Sequence, residues 1–415
     1  MDYCLITVHE KRENMNLEAM KRKYAYTLAR VGLNVQKGQP VLVEAAIEGA
    51  DFTPIFAEEC YRLGASNVIV HYLDEPNMKI AAKYRSDADV RKVEDWEALQ
   101  NQKYLDEGAC YVRLEGVNPK LMEDLPESQA NAIFAHTDAV RNIMRKASRE
   151  KHCQWLIAMI PTQQWAEYIL KDVPKENALE ELWKLLLKIC YIDETNDVVQ
   201  TWEEKSRKNN ERGLKIDSYH FTKLHYTSAN GTDLTVALTP YSKFGMSGSR
   251  MGIPFHPNIP SEEICTAPEK YGTEGVVYAS KPLVLGGKSI ENFGFRFHNG
   301  KVVEVIADQG KEMLEALVAM DEGAAYLGEV ALVEYHSPIS MSNVVYYTTL
   351  IDENASCHLA LGRALGRPLP KDDPWTFNDS TIHIDFMVGT PDMQIVGTTE
   401  DGRDVVVFDH GDFAL

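Results

Sequence analysis

Two hydrophobic rhythms divide the chain. Between Asn16 and about Ile192, stretches with apolar residues at helical spacing alternate with short, unbroken apolar runs, which predicts helix following strand. Leu17 to Val31 reads as a helix, Gly32 and Gly38 punctuate a turn, and Pro40-Val41-Leu42-Val43-Glu44 reads as a strand. Asp51 to Leu63 predicts a second helix closed by Gly64. Asn67 to Tyr72 predicts a second strand, whose continuous apolar character suits a parallel sheet covered on both faces. Ala109 to Leu114 and Trp155 to Ile160 add two strands, preceded by the helical stretches Val90 to Leu105 and Ser128 to Glu150. Helix and strand alternating at this spacing imply an open α/β layer.

After two more helical stretches, Lys175 to Cys190 and Glu194 to Glu211, the rhythm changes. From Ser218 onward, short alternating runs are joined by two-residue turn signals. Asn230-Gly231, Asn299-Gly300 and Asp401-Gly402 each sit between two such runs, and these dipeptides supply the positive φ that tight hairpins require. Short helices are expected near Lys311 to Met320 and Asn354 to Gly362. The boundary falls near 193–215, so the expected architecture is an N-terminal open α/β layer domain, 1–200, and a C-terminal mixed α+β domain rich in β-hairpins, 201–415.

Composition narrows the class of partner. The 415 residues are 44% hydrophobic and 25% charged, as in ordinary globular proteins. A formal charge of -19 lacks the basic footprint that nucleic acid or an anionic membrane needs, so neither is an expected partner. No apolar run reaches the length of a membrane span. Met1 to Asn14 carries His9, Glu10, Lys11, Arg12 and Glu13 without the apolar centre of a secretory signal, and the seven cysteines contain no C-x-x-C pair. A reducing, cytoplasmic setting is therefore expected. The first half has no G-x-G-x-x-G turn and no P-loop, so nothing in it calls for a dinucleotide or a nucleoside triphosphate.

The candidate chemistry lies in the second half. In Ile382-His383-Ile384-Asp385-Phe386 the alternation puts His383 and Asp385 on one strand face, which is half of a metal site or the solvated edge of a sheet. Glu262-Glu263 is a carboxylate pair between Pro260 and Pro268, where a rigid turn can aim Glu263 inward. Glu329 opens the apolar run Val330 to Val333, and an acid there belongs either at a rim or against a cation. His358, in a mostly apolar stretch read as a helix, fits a core histidine or a ligand. Cys265 and Cys357 adjoin these segments and are read as packing residues, while His336 is a weaker candidate for the wall of a pocket.

Four blocks carry a resemblance. Asn258-Ile259-Pro260-Ser261-Glu262-Glu263, Leu327-Gly328-Glu329-Val330-Ala331-Leu332-Val333, Thr349 to Gly362 with its Asp352-Glu353-Asn354-Ala355-Ser356-Cys357-His358 centre, and His383-Ile384-Asp385-Phe386-Met387 resemble the signature blocks of the thermophilic-type metalloaminopeptidases. Val31 to Gly38 and Asn230 to Leu234 are similar as well. The resemblance implies peptide substrates, a C-terminal catalytic domain with two divalent metal ions (Zn, Co or Mn), and a homodimer. It carries the metal-ligand roles onto Glu263, Glu329, His358, His383 and Asp385; in the mechanism these suggest, Glu262 or Glu329 is the expected general base to a metal-activated water, and the sequence does not choose between them. One position departs: the tyrosine expected seven residues after His358 is Leu365, which has no proton to donate to an oxyanion. Tyr346 and Tyr347 are the nearby candidates to replace it. Two other readings stand beside the peptidase: a ring-cleaving non-haem Fe(II) dioxygenase of the dihydroxypyridine type, which shares the fold and takes one iron, and a non-catalytic member of the family in which Leu365 marks lost activity.

Overall fold

Five parallel strands form the first layer. In the computed structural model they run in the order Asn67–Leu73, Pro40–Ala46, Cys110–Glu115, Trp155–Met159 and Asn258–Ile259. The structure describes residues 16–118, 121–151, 153–245, 249–250, 252–285, 288–364, 369 and 373–415; the segment Met1 to Asn14 and Leu365 lie outside them. Parallel neighbours need long crossovers, and helices such as Thr53–Arg62 and Glu127–Lys151 provide them. One sheet face is wholly apolar: Val41, Val43, Val112 and Leu156 pack with Tyr24, Phe52 and Trp183 from the helices above. The other face departs from the unbroken apolar character expected of such a layer. There Glu44, Arg113 and Glu115 meet Arg141 of the long helix, whose guanidinium donates to Glu44 at 2.8 and 3.0 Å.

The fifth strand ties the two halves of the sequence together. Asn258–Ile259 comes from the second half, yet it pairs with Trp155–Met159, and the Ile157 N–H donates to the Pro257 carbonyl at 2.8 Å. Ile339, Tyr346 and Ile351 likewise return to the first apolar core. The helix Val198–Ser218 runs unbroken across the stretch where the rhythm of the sequence changes.

The second half is antiparallel. An eight-stranded sheet takes the order Lys301–Ala307, Phe293–His298, Thr273–Tyr278, Asp233–Ala237, Phe221–Thr227, Gln394–Thr399, Asp404–Asp409 and Asp412–Phe413. All three turn dipeptides lie between paired strands, but only Asn299-Gly300 is the two-residue turn expected; Asn230-Gly231 and Asp401-Gly402 sit in longer loops in which only the glycine has positive φ. At Asn299-Gly300 both residues have positive φ, 50° and 77°, the combination a two-residue turn uses to match the twist of its strands. The helix Lys311–Val318 also forms where expected.

A four-stranded sheet, Ile264–Thr266, Leu327–Leu332, His358–Gly362 and His383–Met387, packs one face onto the Phe293, Phe295 and Phe386 cluster. Here one expectation fails. Asn354 to Gly362 is not a helix: a single 3-10 turn at Glu353–Ala355 leads into the strand His358–Gly362. That strand is central and buried throughout, so its apolar run shows no alternation, and pairing on both sides decides the conformation.

Candidate metal centre

The register of the four-stranded sheet assembles the site. Directly paired residues of antiparallel strands share a face, and alternate residues along a strand share it too. Ala331 pairs with both Cys265 and His358, Ala360 pairs with both Glu329 and Asp385, and Gly362 pairs with His383. Cys265, Glu329, His358, His383 and Asp385 therefore project from the face opposite the aromatic core. Ala331, Ala360 and Gly362 stand between them, and their small side chains leave the space the polar groups converge on. Gly328 interrupts the pairing between Leu327 and Glu329. Such a bulge returns Leu327 to the core face while Glu329 remains on the site face.

All five residues to which the resemblance gives ligand roles come together. His358 Nε2 lies 3.0 Å from Glu263 Oε2 and 3.8 Å from Glu329 Oε1, and His383 Nε2 lies 3.4 Å from Glu329 Oε2 and 3.3 Å from Asp385 Oδ1. Donor atoms of Glu329, His358 and Asp385 all lie within 4.8 Å of one another. Both imidazoles are oriented from behind. His383 Nδ1 is 2.7 Å from the Arg363 carbonyl and His358 Nδ1 is 3.4 Å from the Ser356 carbonyl, which turns each Nε2 toward the carboxylates.

The groups of the cluster perturb one another strongly. Burial alone would lower His358, but Glu263 and Glu329 outweigh it and raise the imidazole well above its usual range. His383 is likewise raised, to about 9, because Asp385 and Glu329 overcome its burial. Burial raises the Glu329 carboxyl despite its bond to His358, whereas His383 and His358 hold Asp385 low against its own burial. Among the described residues no lysine or arginine pairs with these groups. Buried carboxylates and imidazoles facing each other with no fixed cation form a donor set that divalent metals fit, each ion taking the place of the protons.

Glu262 is not part of the cluster. It turns the other way, into a buried pair with Lys205 of the helix Val198–Ser218, whose ammonium also reaches the Tyr191 hydroxyl at 3.1 Å. This pairing argues against the general-base role expected of Glu262, while its neighbour Glu263 reaches His358 in the site. What Glu262 does is hold the segment. Its N–H donates to Asn354 Oδ1 at 2.7 Å and its carbonyl accepts from Asn209 Nδ2 at 3.2 Å.

Two residues belong to the site that sequence reasoning passed over or set aside. Glu353, on the 3-10 turn before the His358 strand, is buried, and burial together with Asp385 and Glu263 raises its carboxyl well above the normal range. The signal for it was an acid inside the apolar stretch Leu350 to Leu361. Cys265, read as a packing residue, instead puts Sγ within 4.8 Å of donor oxygens of Glu263 and Glu329. It is two positions from Glu263, not one, so the two-residue period brings it back to the site face. Cys357 does pack as expected, buried with Sγ donating to the Val333 carbonyl.

The remaining candidates stay outside. His336 is exposed and paired with Asp412 on the last strand. The Tyr346 hydroxyl donates to Ser342 Oγ at 3.1 Å beside Trp165, and Tyr347 meets Tyr168 edge-on, so neither contacts the cluster among the described residues.

A parallel α/β layer joined to an antiparallel half, with carboxylates and imidazoles converging on one sheet face, is an arrangement suited to a metal-dependent hydrolase. Residues 17–413 match the thermophilic metalloprotease (M29) family, and the chain belongs to that family. It is 35% identical to aminopeptidase AmpS of Bacillus subtilis over 94% of this chain and 98% of that protein. It is also 35% identical to aminopeptidase T of Thermus thermophilus, over 93% and 97%. The solved structure of wild-type AmpT from Thermus thermophilus, 32% identical, superposes with a TM-score of 0.89 over 96% of this chain and all of that one. A 2,5-dihydroxypyridine dioxygenase from Pseudomonas putida KT2440 shares the fold alone, with 12% identity and a TM-score of 0.52 over 96% of both chains.

Proposed function

We propose that the protein is a metalloaminopeptidase that removes the first residue of peptides, with Glu263, Glu329, His358, His383 and Asp385 as ligands to two divalent cations. The observation that carries this reading is the convergence of these five buried or half-buried donors from four segments onto one sheet face. Zn, Co or Mn suits a mixed carboxylate and imidazole set. When bound, such ions polarise a scissile carbonyl and lower the pKa of water toward neutrality.

The protein's own groups do the rest. Glu329 faces both imidazoles with its two oxygens and would serve as a ligand. Glu353 takes the general-base role in place of Glu262: it accepts a proton from the attacking water and delivers it to the leaving amine. The excess of carboxylates also meets the substrate's free α-ammonium group and so favours cleavage at the chain end. The second half of the chain supplies this chemistry, and the first half supports it through the strand Asn258–Ile259. Family likeness further supports peptide substrates and a homodimer. No helix among the described residues is long and apolar enough to cross a membrane.

The test is release of the first residue from a panel of aminoacyl chromogenic amides, run on metal-stripped protein with Co²⁺, Zn²⁺ or Mn²⁺ restored. Metal-dependent turnover on at least one amide is expected. No turnover with any metal overturns the assignment.

A further inference from the structure

We infer that Cys265 is an additional donor to this metal centre, so that one cation is held by a thiolate beside the carboxylates. This rests on the metalloenzyme reading above and adds to it a soft ligand. The thiol is placed by the sheet itself. The strand Ile264–Thr266 pairs with Leu327–Leu332, and the Cys265–Ala331 pairing puts Sγ on the face that carries Glu329 and His358, while Ile264 and Leu332 point into the apolar core.

Sγ and one oxygen each of Glu263 and Glu329 all lie within 4.8 Å of one another. Two ligands of a tetrahedral zinc, one sulfur and one oxygen, are about 3.5 Å apart, so small rotations of side chains bring the three to a common ion. Glu329 cannot back away, since only 6% of its side chain is exposed, whereas the less buried Glu263 has room to adjust. The other described cysteines are surrounded differently. Cys60 and Cys110 sit in the apolar core of the first layer, and Cys357 gives its S–H to a backbone carbonyl. Cys265 stands apart as a thiol beside an acidic donor set.

On binding, the S–H bond breaks, its proton leaves to solvent or to a neighbouring carboxylate, and an Sγ–metal bond forms; nothing is oxidised or reduced. A thiolate donor favours Zn²⁺ and Co²⁺ over Mn²⁺, which prefers oxygen. The centre is therefore zinc- or cobalt-selective.

Titrating the metal-stripped protein with Co²⁺ alone gives the test. Wild-type protein is expected to show a near-ultraviolet thiolate-to-cobalt charge-transfer band along with the visible ligand-field bands. Cys265→Ser and Cys265→Ala lose the first band and keep the second, and the preference for Zn²⁺ over Mn²⁺ in competition drops about 10-fold or more. Thermal unfolding of both variants shows that they are folded. Ligand-field bands that disappear in His358→Ala but come without a charge-transfer band in wild type overturn the role of Cys265 and leave the metal centre standing. No cobalt spectrum at all overturns both.

Discussion

His358 and Glu263 meet at 3.0 Å, Nε2 to Oε2, although one lies within a central strand and the other just ahead of an edge strand. The contact spans the Glu329 strand that separates them, so it exists only when the sheet is in register. Replacing His358 by Ala takes away one of two imidazoles facing a buried acidic group. Metal content measured on dialysed protein is expected to fall, and kcat/KM for the aminoacyl amides to drop by about 10²-fold or more. Full metal content in His358→Ala would remove it from the ligand set.

Glu353→Gln separates proton transfer from metal binding. The amide keeps the size of the side chain and loses the ability to carry a proton. The expectation is a fall in kcat of about 10²- to 10⁴-fold with metal content and KM little changed. Loss of metal in step with activity would make Glu353 a ligand instead.

Glu262 is expected to behave as a structural residue. Its carboxylate and the Lys205 ammonium are both largely buried, and burial raises the Glu262 carboxyl even with Lys205 and Tyr191 opposing it. Lys205→Met leaves that carboxylate uncompensated, at a cost of about 3–5 kcal/mol in denaturant unfolding. The double variant Lys205→Met with Glu262→Met is expected to recover much of the loss, and equal costs for the single and double variants would contradict the pairing.

The first layer contains a pH-sensitive carboxyl. Glu75 lines a cavity of about 170 Å³ with Glu44, Glu115 and Arg141, and burial, then Glu48, raise its carboxyl from 4.5 to about 6 while Arg141 opposes them. The folded state therefore holds the proton more tightly than the unfolded chain. The resulting stability is fully present below pH 4.5 and is lost as pH rises through 6, up to about 2 kcal/mol. Glu75→Gln is expected to flatten the unfolding free energy across that window, and an unchanged slope would rule the group out.

Particular residues show how far the sequence could be read. The alternation in Ile382 to Phe386 placed His383 and Asp385 on one face before any fold was known, and the strand His383–Met387 has that geometry. Asn299-Gly300 announced its hairpin because few dipeptides accept two positive φ values. His358 was misplaced on a helix, since a strand buried on both faces carries no period to read. Glu262 and Glu263 are sequence neighbours, and the sequence reading gave both a place at the site. Lys205, a residue far from them in the chain, settles which one turns away from the site.

The amino-acid order by itself determined the local devices: alternating faces, turn dipeptides, an acidic net charge, and the residue types from which a metal centre is made. Only the tertiary structure decided which of those residues meet. It drew Cys265 and Glu353 to the cluster, sent Glu262 and His336 elsewhere, and returned Asn258–Ile259 to the first sheet. The reason is physical. Backbone geometry and periodicity act over a few residues, whereas strand register and the pairing of buried charges join segments far apart in the sequence and form only when the whole sheet does.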